Sequence, residues 1–179
     1  MNIVIIGSGG REHALCYKLL KSSKINKIYC IPGNAGTDEI ATNIFADIND
    51  FDEIYKIVLK LNVELIVVGP EIPLVNGIVD YFEKKNIKIF GPNKKCSQLE
   101  GSKFFMKNIC KKYNIPSAKY FEISDINQIE KFLSSVSFPV VVKSDGLAAG
   151  KGVTICNNLD EVIKDVQEIL DGKFKSSNK

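Results

Sequence analysis

Hydrophobic and polar positions along this 179-residue chain follow two alternating periodicities from the first residues onward. Short β-branched runs such as Ile3–Ile6 are apolar on both faces, as expected of strands buried in a parallel sheet. Between these runs, apolar residues recur with helical spacing. One such helical face consists of Ile54, Ile57, Val58 and Leu61. This alternation of strands and helices predicts an α/β fold with a Rossmann-like, doubly wound parallel sheet.

The first hundred residues contain four predicted strands and three predicted helices. The strands are Ile3–Ile6, Ile28–Ile31, ELIVVG at 64–69 and IKIFG at 87–91. The helices are Arg11–Lys21, one that begins after an N-cap at Asp50, and Val75–Lys85. The apolar stripe expected on the first helix is Ala14, Leu15, Leu19 and Leu20.

The pattern changes after Gly91, where helices and strands become shorter and the order no longer fits a parallel sheet. The predicted elements are a helix at Ser102–Tyr113, strand Lys119–Ile123, helix Asn127–Ser134, strands Val140–Lys143 and Val153–Cys156, and a final amphipathic helix from Leu159 to Leu170. This order predicts a small α+β unit with an antiparallel hairpin. We therefore expect two domains, residues 1–101 and residues 102–179.

Composition and charge indicate an ordinary soluble globular protein. The chain is 45% hydrophobic and 25% charged with a net charge of +3, and its lysines are scattered, so we expect neither a nucleic acid nor a membrane partner. The five cysteines lack the paired spacing of disulfide frameworks or zinc sites and are interpreted as buried or half-buried thiols in a reducing cytoplasm. The amino terminus has no charged segment or long apolar run typical of a signal peptide.

The stretch VVVKSDGLAAGKGVTIC at 140–156 resembles a phosphate-binding loop but differs from a P-loop. Three residues, where a P-loop has four, separate Gly146 from Gly150. A strand follows instead of a helix, so the segment is predicted to be a hairpin whose tip folds over a ligand. Lys143 ends the first strand directly before this loop, which favours contact with a phosphate over simple solvation.

A second glycine-rich segment, Gly7-Ser8-Gly9-Gly10, joins the first strand to the first helix. A helix that begins there offers free amides to a phosphate, and Arg11 adds a fork of donors. The dinucleotide-binding fingerprint requires a third glycine where this chain has Glu12, and an acidic residue after the second strand that is missing here, so a nicotinamide cofactor is disfavoured. The alternative is that these glycines only form a tight turn.

Two further loops follow predicted strands, PGNAGT at Pro32–Thr37 and GPEIPL at Gly69–Leu74. Since carboxyl ends of parallel strands share one edge of the sheet, all three loops are expected to gather into a small polar site. Asn34 and Glu71 are candidates to hold hydroxyls or an amine, although Glu71 could equally complement a helix dipole. His13, the single histidine, is interpreted as a hydrogen-bond donor or a surface residue.

No metal site is recognisable in the sequence. Mg²⁺ beside a nucleotide requires carboxylates next to the phosphates. The acids after Asp145 lie on or beside the final amphipathic helix, mostly off its apolar face, where solvation explains them.

Taken in order, the segments GSGGREHAL, PGNAGT, VVGPEIPLV, KIFGP, QLEGSK and VVVKSDGLAAGKGV closely resemble the phosphoribosylamine–glycine ligase family of ATP-grasp enzymes. The resemblance covers essentially the whole chain. It implies that ATP and glycine form a glycyl phosphate, which the amine of phosphoribosylamine attacks to give glycinamide ribonucleotide. It also implies a pre-ATP-grasp domain followed by part of an ATP-grasp domain that contains the lid.

The resemblance also implies roles for individual residues. Those on the sugar-phosphate side are Gly7, Ser8, Gly9, Gly10, Arg11, Glu12, Gly33, Asn34, Gly36, Gly69, Pro70 and Glu71. Those that contact ATP are Lys103, Lys143, Gly146, Ala148, Ala149, Gly150, Lys151 and Gly152. Members of the family continue with Mg²⁺ or Mn²⁺ ligands that this sequence does not contain. We therefore expect the chain to be a fragment that cannot complete the reaction alone. The alternatives are a non-catalytic sugar-phosphate or nucleotide-binding module and, more distantly, an oxidoreductase domain.

Overall fold

The structure is a computed structural model that describes residues 1–133, 137–148 and 151–173. It divides into two compact units, Met1–Gln98 and Leu99–Lys179. Among the described residues, no helix has both the length and the apolar character needed to cross a bilayer.

The first unit is built on a five-stranded sheet in which every pairing is parallel. Its strands are β1 (Asn2–Gly7), β2 (Lys27–Pro32), β3 (Thr42–Asn43), β4 (Leu65–Val68) and β5 (Ile89–Phe90). The helices are α1 (Gly10–Leu19), α2 (Ala35–Asp38), α3 (Phe51–Lys60), α4 (Glu71–Asn76), α5 (Ile78–Glu83) and α6 (Lys94–Gly101), the last of which runs past Gln98. The order β3-β2-β1-β4-β5 confirms the predicted doubly wound sheet. Its direction of winding reverses between β1 and β4, where such sheets bind ligands.

Alternate residues of the central strands belong to two separate cores, because successive side chains of a strand point to opposite faces of the sheet. On one face, Val4 and Ile6 pack with residues of α3 and α5. On the other face, Ile3 and Ile5 pack with Cys16 of α1 and Cys30 of β2. Both faces of β1 are therefore apolar because both are covered.

Helix α1 differs from its predicted stripe. Leu15 and Leu19 are half-buried, but Ala14 and Leu20 are exposed, and the buried residues are Glu12 and Cys16. Cys16 Sγ lies 3.1 Å from Cys30 Sγ, and burial raises the pKa of the Cys30 thiol to about 12. The helix is thus oriented by a buried carboxylate and a thiol contact, which apolar periodicity does not reveal.

Helix α3 matches its prediction, because Ile54 and Val58 are buried and the Asp50 carboxylate accepts a hydrogen bond from Glu53 N at 2.8 Å. The helix predicted at Val75–Lys85 is divided instead. Gly77 has a φ of 97°, a left-handed conformation that favours glycine and that ends α4 before α5 begins.

The second unit contains α7 (Lys103–Lys112), α8 (Ile129–Leu133), α9 (Leu159–Leu170) and the strands β6 (Val140–Lys143) and β7 (Val153–Cys156). β6 and β7 pair in antiparallel register, which confirms the predicted hairpin. A small core of Ile129, Cys156, Val162 and Val166 joins α8 and α9 to the hairpin.

Two predictions in the second unit differ from the structure. No strand forms at the described residues Lys119–Ile123, where the ring of Phe121 instead stacks on Phe132 with centroids 4.6 Å apart. A segment of aromatic and β-branched residues forms a strand only where another strand offers its edge. The helix predicted at Asn127–Ser134 is α8 preceded by a 3₁₀ turn at Ile126–Gln128, and Ser134 lies outside the described residues.

The predicted burial of the cysteines holds for four of the five. Cys16, Cys30 and Cys156 are buried and Cys110 is half-buried, whereas Cys96 is exposed.

Candidate functional site

Three loops meet at the carboxyl edge of the parallel sheet: loop 1 (Gly7–Gly10), loop 2 (Pro32–Thr37) and loop 3 (Gly69–Leu74). They follow β1, β2 and β4, which are adjacent in the sheet. Gly33 N donates to Gly7 O at 3.2 Å, and Gly69 N donates to Ile6 O at 3.0 Å. The loops are therefore held together by backbone hydrogen bonds that continue the sheet. We call this region the loop edge.

Asn34 joins loop 2 to loop 1. Its side-chain oxygen accepts a hydrogen bond from Thr37 N at 2.9 Å and so caps α2. Its amide nitrogen donates to Ser8 O at 2.9 Å and to Gly9 O at 3.2 Å. All functional groups of this side chain are thus committed to the protein, which makes Asn34 a connector of the loops.

Thr37 and Asn43 complete this connection, and the sequence analysis missed both. The fully buried Thr37 hydroxyl donates to Asn34 O and lies 2.7 Å from Asn43 Oδ1, while Asn43 Nδ2 donates to Asn34 O at 2.8 Å. A threonine in a loop and an asparagine in a two-residue strand carry no recognisable signal until the register of β2 and β3 brings them together.

Glu12 is turned inward and joins loop 1 to loop 3. The residue is only 3% exposed. Its Oε2 accepts a hydrogen bond from Gly9 N at 2.6 Å, and its Oε1 accepts one from Arg11 Nε at 3.1 Å. A Cβ placed on Gly69 would lie 2.0 Å from Glu12 Oε1. Glu12 therefore stands where the dinucleotide-binding fingerprint has its third glycine. Its carboxylate accepts a hydrogen bond from the backbone amide of the second glycine, Gly9.

Arg11 lies between two carboxylates at the surface of the loop edge. Its Nη1 and Nη2 are 3.3 and 3.4 Å from Glu71 Oε1, and its side chain is 56% exposed. The hydrogen bond to Glu12 raises the pKa of Arg11, with the charge of Glu71 adding to the shift. The guanidinium is thus oriented by the protein while more than half of the side chain stays exposed.

The remaining predicted residues of the loop edge lie around this arrangement. His13 packs against loop 2, since a Cβ on Gly36 would approach its Cε1 within 2.7 Å. Pro70 precedes α4, and Glu71 is the first residue of that helix. A Cβ on Gly10 would meet nothing within 4 Å, so loop 1 is open at the start of α1.

In the second unit, the glycine loop between β6 and β7 is tied to the start of α7. Asp145 accepts hydrogen bonds from Lys103 N at 2.7 Å and from Ser102 Oγ at 3.1 Å. Lys103 Nζ donates to Gly146 O at 2.9 Å. Residues from two segments of this unit, 42 and 43 positions apart in the sequence, thereby form one local site.

Two backbone hydrogen bonds join described residues of this loop. Ser144 N donates to Gly152 O at 3.0 Å, and Lys151 N donates to Ala148 O at 2.9 Å. Lys143 and Lys151 are exposed, and neither side chain has a hydrogen bond or ion pair within the described part of the chain. Ala149 and Gly150, which were also predicted to contact ATP, lie outside the described residues.

A cavity of about 830 Å³ lies against the hairpin within the second unit. Its lining includes the strand residues Val141 and Ile155, which are 52% and 64% exposed, together with Lys103, Lys143 and Asp145. An apolar surface with two cations beside it suits a ligand that has both a flat apolar part and an anionic part.

The described side chains contain no candidate metal site. In that part of the chain, no three His, Cys, Asp or Glu side chains converge. Asp145 is already engaged with the start of α7. The Mg²⁺ or Mn²⁺ implied by the resemblance therefore has no ligand set among these residues.

Two protein-family models match the chain. The model for the phosphoribosylglycinamide synthetase N domain matches residues 1–100, and the model for the ATP-grasp (A) domain of the same synthetase matches residues 101–179. The two matches together span the whole sequence.

Curated relatives match nearly the whole of this chain. A phosphoribosylamine–glycine ligase from Caldanaerobacter subterraneus is 43% identical over 175 residues, which are 98% of this chain and 41% of that protein. A bifunctional purine biosynthetic protein from Dictyostelium discoideum is 44% identical over 179 residues, which are 98% of this chain and 22% of that protein. The chain thus spans less than half the length of these relatives.

Solved structures show the same fold. A phosphoribosylamine–glycine ligase from Thermotoga maritima superposes with a TM-score of 0.75 at 32% identity, covering 96% of this chain and 40% of its own. A second solved structure is the biotin carboxylase domain of a 2-oxoglutarate carboxylase from Hydrogenobacter thermophilus, in complex with MgADP. It superposes with a TM-score of 0.74 at 20% identity, covering 93% of this chain and 40% of that one. At that identity the second likeness concerns the fold alone.

Proposed function

This chain belongs to the phosphoribosylglycinamide synthetase family, and we propose that it forms part of an ATP-dependent ligase that joins glycine to 5-phosphoribosylamine. The observation that carries this proposal is the presence of two phosphate-suited sites, each within one of the two matched segments. The proposed domains are residues 1–101 for the sugar phosphate and residues 102–179 for part of the ATP-grasp.

In the first domain, the proposed phosphate site is the start of α1. The N–H groups of Gly10 and Arg11 donate no hydrogen bond within the described residues, and the space beside Gly10 is open. Free amides at a helix N-terminus and an oriented guanidinium both favour an anion. We propose that the ribose phosphate of phosphoribosylamine binds here and that loops 2 and 3 surround the sugar.

In the second domain, Lys103 and Lys143 are proposed to contact phosphate oxygens of ATP, and residues 146–152 to close over them. The exposed apolar face of the hairpin would then receive the base of the nucleotide. Closure of a glycine loop excludes water, and an acyl phosphate made from glycine requires this protection, because water would otherwise hydrolyse it before the amine attacks.

The reaction proposed for the complete ligase has two steps. The glycine carboxylate attacks the γ-phosphorus of ATP and releases ADP. The amine of phosphoribosylamine then attacks the acyl carbon, an amide bond forms, and inorganic phosphate leaves. In this chain, the proposed contribution is to bind and orient the sugar phosphate and the nucleotide.

Backbone amide resonances of the 179-residue chain provide the test. Ribose 5-phosphate should shift the amides of Gly9, Gly10 and Arg11, and a non-hydrolysable ATP analogue should shift those of 143–152. NADH is the control ligand for the oxidoreductase alternative. Shifts at Gly7–Gly10 with NADH and none with ribose 5-phosphate would overturn the proposal.

A further inference from the structure

Three glycines of the loop edge surround a single buried side chain. A Cβ on Gly69 would lie 2.0 Å from Glu12 Oε1, one on Gly7 would lie 2.7 Å from Glu12 Cγ, and one on Gly9 would lie 2.9 Å from Glu12 Oε2. Real Cβ contacts almost never fall below 3.0 Å. Loops 1 and 3 can therefore approach each other at these positions only while the glycines leave room for Glu12.

The carboxylate itself is satisfied entirely by the protein. Gly9 N and Arg11 Nε donate to its two oxygens, and with 3% exposure the residue offers almost no surface to a ligand. Arg11 in turn reaches Glu71 in loop 3. One negative charge thus fixes the start of α1, the direction of the guanidinium and the separation of two loops.

We propose that Glu12 is a positioning residue of the loop edge. Its side chain sets the distance between loops 1 and 3 and orients Arg11 toward the ligand, without touching the ligand itself. This assignment differs from the substrate contact that the family resemblance implies, and it rests on the proposed function only in naming the ligand as a sugar phosphate. The Gly9 amide donates to Glu12, so the amides that remain for the phosphate at this helix start are those of Gly10 and Arg11.

A double-mutant cycle tests the geometry of this proposal without any ligand. The three atoms nearest to a Cβ on Gly69 all belong to Glu12, so Gly69→Ala should lower the unfolding midpoint strongly in the parent chain. In a Glu12→Ala background the same change should have little further effect. In a Glu12→Gln background, where the side chain keeps its length, most of the loss should remain.

Gly10→Ala is the matched control, because its Cβ meets nothing within 4 Å, and its effect should be the same with and without Glu12. An equal loss from Gly69→Ala in all three backgrounds would overturn the proposal.

Ligand binding distinguishes positioning from a purely structural role. Glu12→Gln should fold, but one of the two carboxylate oxygens is replaced by an NH2 group, which cannot accept a hydrogen bond. Gly9 N and Arg11 Nε, which donate to different oxygens, therefore cannot both keep their acceptors. Its dissociation constant for ribose 5-phosphate should rise about tenfold, the factor for about 1.4 kcal/mol. The Gly9 amide proton should also lose the downfield shift that a charged acceptor produces. Glu83→Gln, an exposed change on α5, is the matched control.

A folded Glu12→Gln variant that binds ribose 5-phosphate as tightly as the parent chain would contradict the positioning role. A parent chain that does not bind ribose 5-phosphate at all would count against the proposed function instead, and the Gly69 cycle would still decide the role of Glu12.

Discussion

The loop edge and the glycine hairpin are both suited to phosphate, but their side chains are prepared in different ways. At the loop edge, Glu12, Asn34 and Thr37 are buried or half-buried, and each is held by hydrogen bonds within or between the loops. On the hairpin, Lys143 and Ile155 are exposed. A preorganised site avoids an ordering cost when its ligand binds, whereas a loop that closes on its ligand can exclude water. The difference in burial fits the proposal of a fixed site in one unit and of a loop that closes on its ligand in the other.

The largest change in the free energy of unfolding is expected from removing Asn34, the connector between loops 1 and 2. Asn34→Ala removes the cap of α2 and both hydrogen bonds to loop 1, so we expect a loss of roughly 2–3 kcal/mol in the free energy of unfolding. Chemical denaturation measures it, with the exposed Asn26→Ala as control. A loss no larger than that of Asn26→Ala would show that the loop edge is not held by this side chain.

The hairpin should respond to mutation in binding rather than in stability. Lys143→Ala should leave the unfolding midpoint nearly unchanged, because the side chain is exposed, but it should weaken ATP binding by roughly 1.5–3 kcal/mol, as expected for a hydrogen bond to a charged group. Calorimetric titration measures the affinity, and Lys164→Ala on α9 serves as the surface-lysine control. Equal ATP affinity in the two variants would remove Lys143 from the proposed site.

A smaller effect is expected where the glycine loop meets α7. Asp145→Ala removes the acceptor of Lys103 N and Ser102 Oγ, and we expect a loss of about 1 kcal/mol, typical of a helix cap. Hydrogen exchange at Lys103 and Phe104 should accelerate. Unchanged exchange there would show that Ser102, which accepts from Phe105 N, caps the helix by itself.

The smallest effect is a pH dependence confined to the second unit. Hydrogen bonds from the Asn157 backbone, and then from Asn158 and Asn157 side chains, lower the pKa of Glu161 below its ordinary value of 4.5. A lowered folded-state pKa stabilises the protein above the unfolded-state value, and this stabilisation disappears as the pH falls through the folded-state value. Glu161→Gln should therefore be less stable than the parent chain at pH 6, and the difference should shrink as the pH falls below 4.5 toward pH 3.

Thermal unfolding at the two pH values measures this difference, with Glu83→Gln as control. A difference that stays constant down to pH 3 would show that the charge of Glu161 is not responsible.

Strands of four or more residues were predictable because their signal is local. β1, β2, β4, β6 and β7 are runs of β-branched residues, and their positions follow from the sequence. The two-residue β3 and the four-residue α2 were missed, because elements of that length exist only where neighbours hold them. The strand predicted at Lys119–Ile123 was wrong for the same reason, since its residues have the required propensity but pair with no strand in the described part of the chain.

The sequence by itself determined strands β1, β2, β4, β6 and β7, helices α1, α3, α7 and α9, the three small-residue loops and the glycine hairpin, because each depends on residues adjacent in the chain. Only the tertiary structure decided that Glu12 points inward, that Arg11 reaches Glu71 across 60 positions of sequence, and that Thr37 and Asn43 support Asn34. These contacts exist because parallel strands bring distant loops to one edge, and no local pattern encodes which side chain then fills the space between them.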